Sequence, residues 1–367
     1  MATSTDKAGP HKWLLHDEVT HLRRWASEAS YPLPSTPLAK GETRMIGAAE
    51  GCWLRLQDAE GRVSRRHAQL TYERPDGWLL GDLASKNGLW LDGETRASPF
   101  PLTPGIEIRI GGITMIAESP RLRVLREVLE RLLGWSTERR EEVDLALRSI
   151  RMAVMHREPL LLCAENANIS IARLLHQHTI GPDRPLIVCD PRRVGKPEET
   201  ARAAPNYKRG LEALDAATGG TLCVWRWRLP PDFPEVEELR RKPDARVLLV
   251  VCSTSAPHLV DTESQLVIPS LSERGSELHR IVAAYGADAV AEFGGKFTPD
   301  DLDWIAEYES STLAAIETAT RRLVAYDACG EEVSRAANQL GMSHGSLSVW
   351  IARRRMPQGK QRRGQRR

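Results

Sequence analysis

Two short segments carry the side chains best suited to hold a phosphate. Ser64-Arg65-Arg66-His67 gathers a hydroxyl, two guanidinium groups and an imidazole, and Lys86-Asn87-Gly88 adds an ammonium group and an amide. A phosphate dianion is held best by short charge-assisted hydrogen bonds from cations and hydroxyls on fixed loops. Ser64, Arg65 and Lys86 supply that chemistry. The plain alternative for Arg65 and Lys86 is solvated loop charge, and Asn87-Gly88 is also an ordinary turn pair. A second group lies near the other end of the chain. From Arg353 to Arg367 there are eight basic residues and no acid, while the rest of the chain holds 43 basic and 49 acidic residues, a net of −6. A basic end on an acidic body is a common electrostatic form of nucleic-acid binders.

The elements that must position these groups follow from patterning. Residues 39–118 carry short alternating runs, TRMIG, CWLRL, HAQLTYE, GWLLGDL, GLWLDG and EIRIGG, broken by Gly, Asp and Pro. That rhythm predicts an antiparallel sandwich or barrel. Residues 1–38 read as a short helical arm with a Pro-rich lead-in. From residue 119 the style changes. RLRVLREVLERLLGW and VDLALRSIRMAVMH have helical periodicity, and PLLLCAE, RPLIVCD, TLCVWRW and ARVLLVVCSTS are compact apolar runs between helical stretches. Near-continuous apolar strands interleaved with helices predict a parallel sheet covered on both faces. Residues 273–325 read as helices split near GADAVAEFGGKFTPDD, 326–356 as a two-helix unit, and 357–367 as a disordered basic tail.

Composition excludes several classes. With 41% apolar residues in 367, the chain can build two or three ordinary cores, yet no run approaches the ~18–20 apolar residues of a membrane span. The first residues lack the basic head and apolar run of a secretion signal. Cys52, Cys163, Cys189, Cys223, Cys252 and Cys329 stand singly, with no CxxC spacing. Reduced thiols, no metal site and a cytoplasmic setting are the expectation.

Three motifs in order, VSRRHAQL (63–70), DLASKNGLWLDG (82–93) and PLTPGIEIRIGG (101–112), resemble the forkhead-associated (FHA) family. The resemblance implies a β-sandwich whose loops at one end bind phosphothreonine peptides. By motif, Ser64 donates its hydroxyl to the phosphate with Arg65 and Lys86 beside it. Asn87 holds the peptide backbone, His67 braces the loop and Gly88 makes its turn. The family usually ends its first strand in Gly-Arg, with that Arg on the phosphate; here the pair is Gly47-Ala48. Arg44 and Arg55 are nearby cations, and neither occupies the motif position.

Residues 119–272, with a helical lid at 273–325, resemble in layout the AAA+ domain of bacterial enhancer-binding proteins that activate the sigma-54 factor. Phosphoryl transfer needs a Gly-rich loop with a Lys on the phosphates, and an acidic pair for magnesium. The corresponding loop, Ala164 to Ser170, has neither Gly nor Lys. Trp225 and Arg226 stand where the acidic pair belongs, and Ser255 stands at the sensor position. GKPEE (195–199) has a Gly-Lys without the glycines or the strand–loop–helix setting. No enzyme activity and no cofactor are expected.

EEVSRAANQLGMSHGSLSVWIARRRM (331–356) resembles the Fis-type helix-turn-helix of the same regulators. Ser343 is placed to cap the second helix, and His344, Gly345, Ser348, Arg353, Arg354 and Arg355 are the candidate DNA contacts. Fis-type units generally act as dimers, which implies a homodimer or pairing with a related activator. The combined expectation is a non-catalytic, cytoplasmic transcriptional regulator that senses a phosphothreonine-containing partner and binds double-stranded DNA. The alternative is an adaptor in a Ser/Thr kinase pathway with no DNA binding.

Overall fold

The computed structural model describes residues 17–34, 41–74, 77–95, 99–156, 158–165, 168–192, 204–242, 245–254 and 264–354. Eleven strands among them form the first unit: β1 (His21–Arg24), β2 (Ser30–Pro32), β3 (Arg44–Gly47), β4 (Leu54–Arg55), β5 (Ala68–Glu73), β6 (Gly77–Asp82), β7 (Leu89–Leu91), β8 (Glu94–Thr95), β9 (Phe100–Pro101), β10 (Glu107–Ile110) and β11 (Ile113–Glu118). They make two sheets, ordered β2-β1-β11-β10-β7-β8 and β4-β3-β5-β6-β9. Alternation decides which face is inside. In β10, Ile108 and Ile110 are buried while Glu107 and Arg109 are not. Fully buried Ile46, Leu70, Leu80, Leu91, Ile108 and Met115 fill the space between the sheets.

The expected helical arm is wrong over its second half. Residues 21–24 and 30–32 are strands, and β1 pairs antiparallel with β11 from His21↔Glu118 to Arg24↔Met115. Leu22 enters the sandwich core, and Arg23 finds buried acids on later elements. Those long-range partners outweigh the local polar character of the segment.

Two helices follow, α1 (Pro120–Leu133) and α2 (Arg140–His156). Ser119 caps α1 by accepting the Leu122 N–H at 3.2 Å. The sandwich is fastened to α2 by charge. Arg23 is 2% exposed and donates to Glu118 at 2.6 Å and to Asp144 at 3.1 Å. Asp144 also accepts the Ala26 N–H at 2.7 Å. Arg151 grips Asp92 with two bonds of 2.8 and 3.0 Å.

The second unit is a parallel sheet of β12 (Leu160–Cys163), β13 (Leu186–Cys189), β14 (Asn206–Tyr207), β15 (Thr221–Trp225), β16 (Leu248–Ser253) and β17 (Gln265–Val267). Their order is β14-β13-β15-β16-β12-β17, and every pairing is parallel. Helices α3 (Asn168–Thr179), α4 (Gly210–Ala216) and α5 (Phe233–Arg240) connect the strands. Successive strand residues go to opposite faces. Val188, Cys223, Val250 and Cys252 pack on the side of α1–α3, and Ile187, Leu222, Val224 and Leu249 on the side of α4 and α5. Burial on both faces explains the continuous apolar runs.

Five helices close the chain: α6 (Leu278–Phe293), α7 (Pro299–Tyr308), α8 (Leu313–Ala328), α9 (Val333–Leu340) and α10 (His344–Arg354). The boundary expected at 325 falls inside α8. Thr298 and Asp301 form a reciprocal capping box at the start of α7. Among the described residues no helix is long and apolar enough to cross a membrane.

Candidate functional site

Three loops meet at one end of the sandwich: 48–53 after β3, 56–67 between β4 and β5, and 83–88 between β6 and β7. The Lys86 backbone N–H donates to Ser64 Oγ at 3.1 Å. This bond joins two loops, fixes the hydroxyl oxygen and leaves its proton free to donate outward. Arg65, Arg66, Lys86 and Asn87 are all exposed around Ser64. The cationic groups of Arg65, Arg66 and Lys86 are available to an incoming anion.

The support beneath is specific. His67 is completely buried. Its Nδ1 accepts the Ser64 N–H at 3.0 Å, so the proton sits on Nε2, which donates to the Gly88 carbonyl at 3.1 Å. One neutral ring therefore ties the Ser64 loop to the Lys86 loop. Gly88 has φ +67, a left-handed conformation that favours glycine. Gly47 is required for a different reason: a Cβ there would lie 2.4 Å from the Arg65 carbonyl oxygen. Its absence lets Ala48 and Ala49 donate backbone bonds to the Ser64 and Arg65 carbonyls at 3.0 and 3.1 Å.

Asn87 is turned inward, with Nδ2 donating to the Arg62 carbonyl at 2.8 Å. Its Oδ1 remains an acceptor for a peptide N–H. Sequence reasoning missed Asp58. Its carboxylate accepts the N–H groups of Arg62 at 2.8 Å, Val63 at 3.3 Å and Gly112 at 3.0 Å. Desolvation works against its ionisation, but the backbone N–H groups of Val63, Arg62 and Gly112 outweigh it and hold the carboxyl below the usual range. The DAEG turn (58–61) was the available signal.

The other expected residues lie on the parallel sheet and the terminal helices. The ends of β12, β15 and β16 converge, with Ala164 N–H on the Ser253 carbonyl at 3.1 Å and Arg226 N–H on the Cys252 carbonyl at 3.0 Å. Ligands of open parallel sheets bind outside such strand ends. Among the described residues, a cleft lined by Ala164, Glu165, Pro269, Ser270 and Thr312 lies there, with a volume of about 20 Å³. Cys163, Cys189, Cys223 and Cys252 are buried within the sheet. Desolvation pushes the Cys189 thiol up to about 11 and the Cys223 thiol up to about 12, so both are inert packing groups.

In the terminal helix pair, Ser343 Oγ accepts the Ser346 N–H at 3.2 Å and caps α10. Leu347, Trp350 and Ile351 are buried, while His344 and Gly345 are exposed and Ser348 is half-buried. Arg353 and Arg354 are not free. Arg353 pairs with Glu309 and Arg354 with Asp301, on and beside α7, and Trp350 meets Trp304 edge-on at 5.4 Å. Arg355, the tail 357–367, Ser255 and GKPEE (195–199) lie outside the described residues.

Residues 44–111 match the family model of the FHA domain. This stretch of the chain, which carries Ser64, His67, Lys86, Asn87 and Gly88, is an FHA domain. The parallel sheet and the C-terminal helices fall outside the matched residues. No curated protein matches the chain. Solved structures similar to it include Mycobacterium tuberculosis EmbR in complex with a low-affinity phosphopeptide, 27% identical over 28% of this chain and 24% of that one, with TM-score 0.24. Another is the N-terminal FHA domain of S. cerevisiae Rad53p in complex with a phosphothreonine peptide, 20% identical over 28% of this chain and 93% of that one, with TM-score 0.25. The FHA domain of the CT664 protein from Chlamydia trachomatis is 24% identical over 26% of this chain and 92% of that one, with TM-score 0.23.

Proposed function

We propose that this chain is a non-catalytic cytoplasmic regulator that binds a phosphothreonine-containing partner protein at the Ser64–Lys86 end of its FHA domain. The observation that carries this is the Lys86 N–H bond to Ser64 Oγ, which holds a hydroxyl donor amid Arg65, Arg66 and Lys86. A dianion with three acceptor oxygens matches that set of donors. A phosphothreonine peptide library passed over the immobilised chain tests the reading. Bound sequences are expected for the natural chain. S64A should weaken capture about ten-fold or more, the size of one lost hydrogen bond to a charged group, and N87A about two- to ten-fold, the size of one lost neutral bond. Equal capture by S64A would remove the reading.

We further propose that α9 and α10 form a Fis-type helix-turn-helix on double-stranded DNA, as a homodimer or beside a related activator, and that the α/β unit is a degenerate AAA+ domain that works without ATP. The glycine-linked, Ser-capped helix pair and the exposed His344 and Gly345 support the first part. The loop after β12, without Lys or Gly, supports the second. The ion pairs of Arg353 and Arg354 put most of the phosphate affinity on the tail. Deleting 357–367 is therefore expected to weaken binding to all DNA alike and to flatten its salt dependence, because each cation that meets a phosphate adds about one log unit per log unit of salt. Mobility shifts at several salt concentrations measure this. If the full chain binds no fragment at ~50 mM salt, where phosphate contacts are strongest, the adaptor reading replaces the DNA reading.

A further inference from the structure

Three neighbouring strands of the parallel sheet run out into cations at the same end. β14, β13 and β15 lie side by side, with Cys189 level with Tyr207 on one side and with Val224 on the other. Lys208 follows β14, Arg226 follows β15, and Arg192 lies three residues past the end of β13. Three strands span about 10 Å across, so these side chains share one rim. All three are exposed, and none has an ion pair among the described residues.

Two tryptophans stand on the same rim. Trp227 is 44% exposed, and its ring lies 5.3 Å from that of Trp225, tilted by 40°. They alternate with Arg226 and Arg228. Arg228 reaches across to the end of β13 and donates to buried Asp190 at 3.1 Å, which fixes the turn after β15 against that strand. The carboxylates nearby are occupied. Asp190 also accepts the Arg192 N–H at 3.0 Å, Glu212 pairs with Arg209 at 3.6 Å, and Asp232 accepts the N–H groups of Gly210 and Leu211 at 2.9 and 3.1 Å. The rim therefore offers cations and an open indole face together.

We infer that this rim binds single-stranded DNA, with an unpaired base stacked on Trp227 and backbone phosphates on Arg192, Lys208 and Arg226. An acidic peptide would use the cations and leave the indole idle, whereas a base face matches an exposed indole set among arginines. Duplex DNA keeps its base faces inside the stack. A protein tells RNA from DNA by contact with the 2′-hydroxyl. The amide of Asn206, which could make that contact, is spent on the Asp190 backbone at 3.1 and 3.2 Å. The rim also lies outside the carboxyl ends of the strands, where open parallel sheets bind their ligands. It is separate from the phosphopeptide loops and from α10.

Fluorescence anisotropy of a labelled oligothymidylate of about twelve nucleotides, titrated with the full chain at several salt concentrations, tests the inference. W227A is expected to weaken binding about ten-fold or more, while W227F, which keeps an aromatic face, retains most of it. R192A, K208A and R226A combined should lower the salt slope by about two, at about 0.7 per phosphate contact. Duplex binding should be the same for W227A and the natural chain, and so should thermal melting, since the indole is on the surface. If W227A binds the oligothymidylate as well as the natural chain, or if deleting 357–367 removes all single-strand binding, the rim is not the site. If oligouridylate binds far tighter than oligothymidylate, or an oligoglutamate peptide competes as well as the unlabelled strand, the partner is RNA or an acidic protein and the assignment to DNA is wrong.

Discussion

Arg23→Ala lowers the unfolding free energy by about 3–5 kcal/mol, the cost of removing one partner from a buried ion pair. The guanidinium is 2% exposed and serves Glu118 and Asp144 together, along with the carbonyls of Arg24 and Ser27 at 3.1 and 3.0 Å. Burial disfavours its charge, yet the bond and field of Asp144, aided by Glu118, raise its pKa above the ordinary arginine value. Without Arg23, buried Asp144 loses its bonded counter-charge, and buried Glu118 is left with the longer pair to Arg126 at 3.5 Å. The break also falls at the joint between the sandwich and α2. The loss is expected as a lower urea midpoint and as earlier proteolysis between residues 118 and 140. Arg24→Ala, one residue away and exposed, is the control and should cost under about 0.5 kcal/mol. Equal effects of the two substitutions would show that the triad does not hold the joint.

His67→Ala is expected to cost about 3–4 kcal/mol and to abolish phosphopeptide binding. Two partly buried backbone groups, the Ser64 N–H and the Gly88 carbonyl, lose their partner, at about 1–3 kcal/mol each, and a ring-sized void adds to the loss. His67→Phe fills the void without the two bonds, so it separates packing from hydrogen bonding. It should recover part of the stability and little of the binding, because the ring's two bonds, beside the Lys86 N–H bond to Ser64 Oγ, align the two loops. Denaturant unfolding and peptide titration of both variants measure this. Retained binding in His67→Phe would mean that the loops hold their register without the ring.

The parts of the fold that were legible in sequence are those with local cause. The alternation of β10 and the continuous runs of β12, β13, β15 and β16 announce one-sided and two-sided burial directly. Ser64, His67, Asn87 and Gly88 stand out in the sequence because they fall at the fixed spacing of the FHA motifs. What sequence missed depends on partners far along the chain. Arg23 reads as a solvated arginine until Glu118 and Asp144, 95 and 121 residues away, meet it. β1 and β2 were hidden by the same polar character. Arg353 reads as a phosphate contact until it meets Glu309, 44 residues earlier.

The central claim is that Ser64 and its neighbours read a phosphate on threonine. It is tested most directly by titrating the full chain with one peptide in phosphothreonine and unphosphorylated forms, alongside S64A. The account predicts saturable binding of the phosphorylated peptide, at least about ten-fold weaker binding of it to S64A, and none of the unphosphorylated form. Equal binding of the two peptides, or of the phosphorylated peptide to the natural chain and S64A, would contradict it.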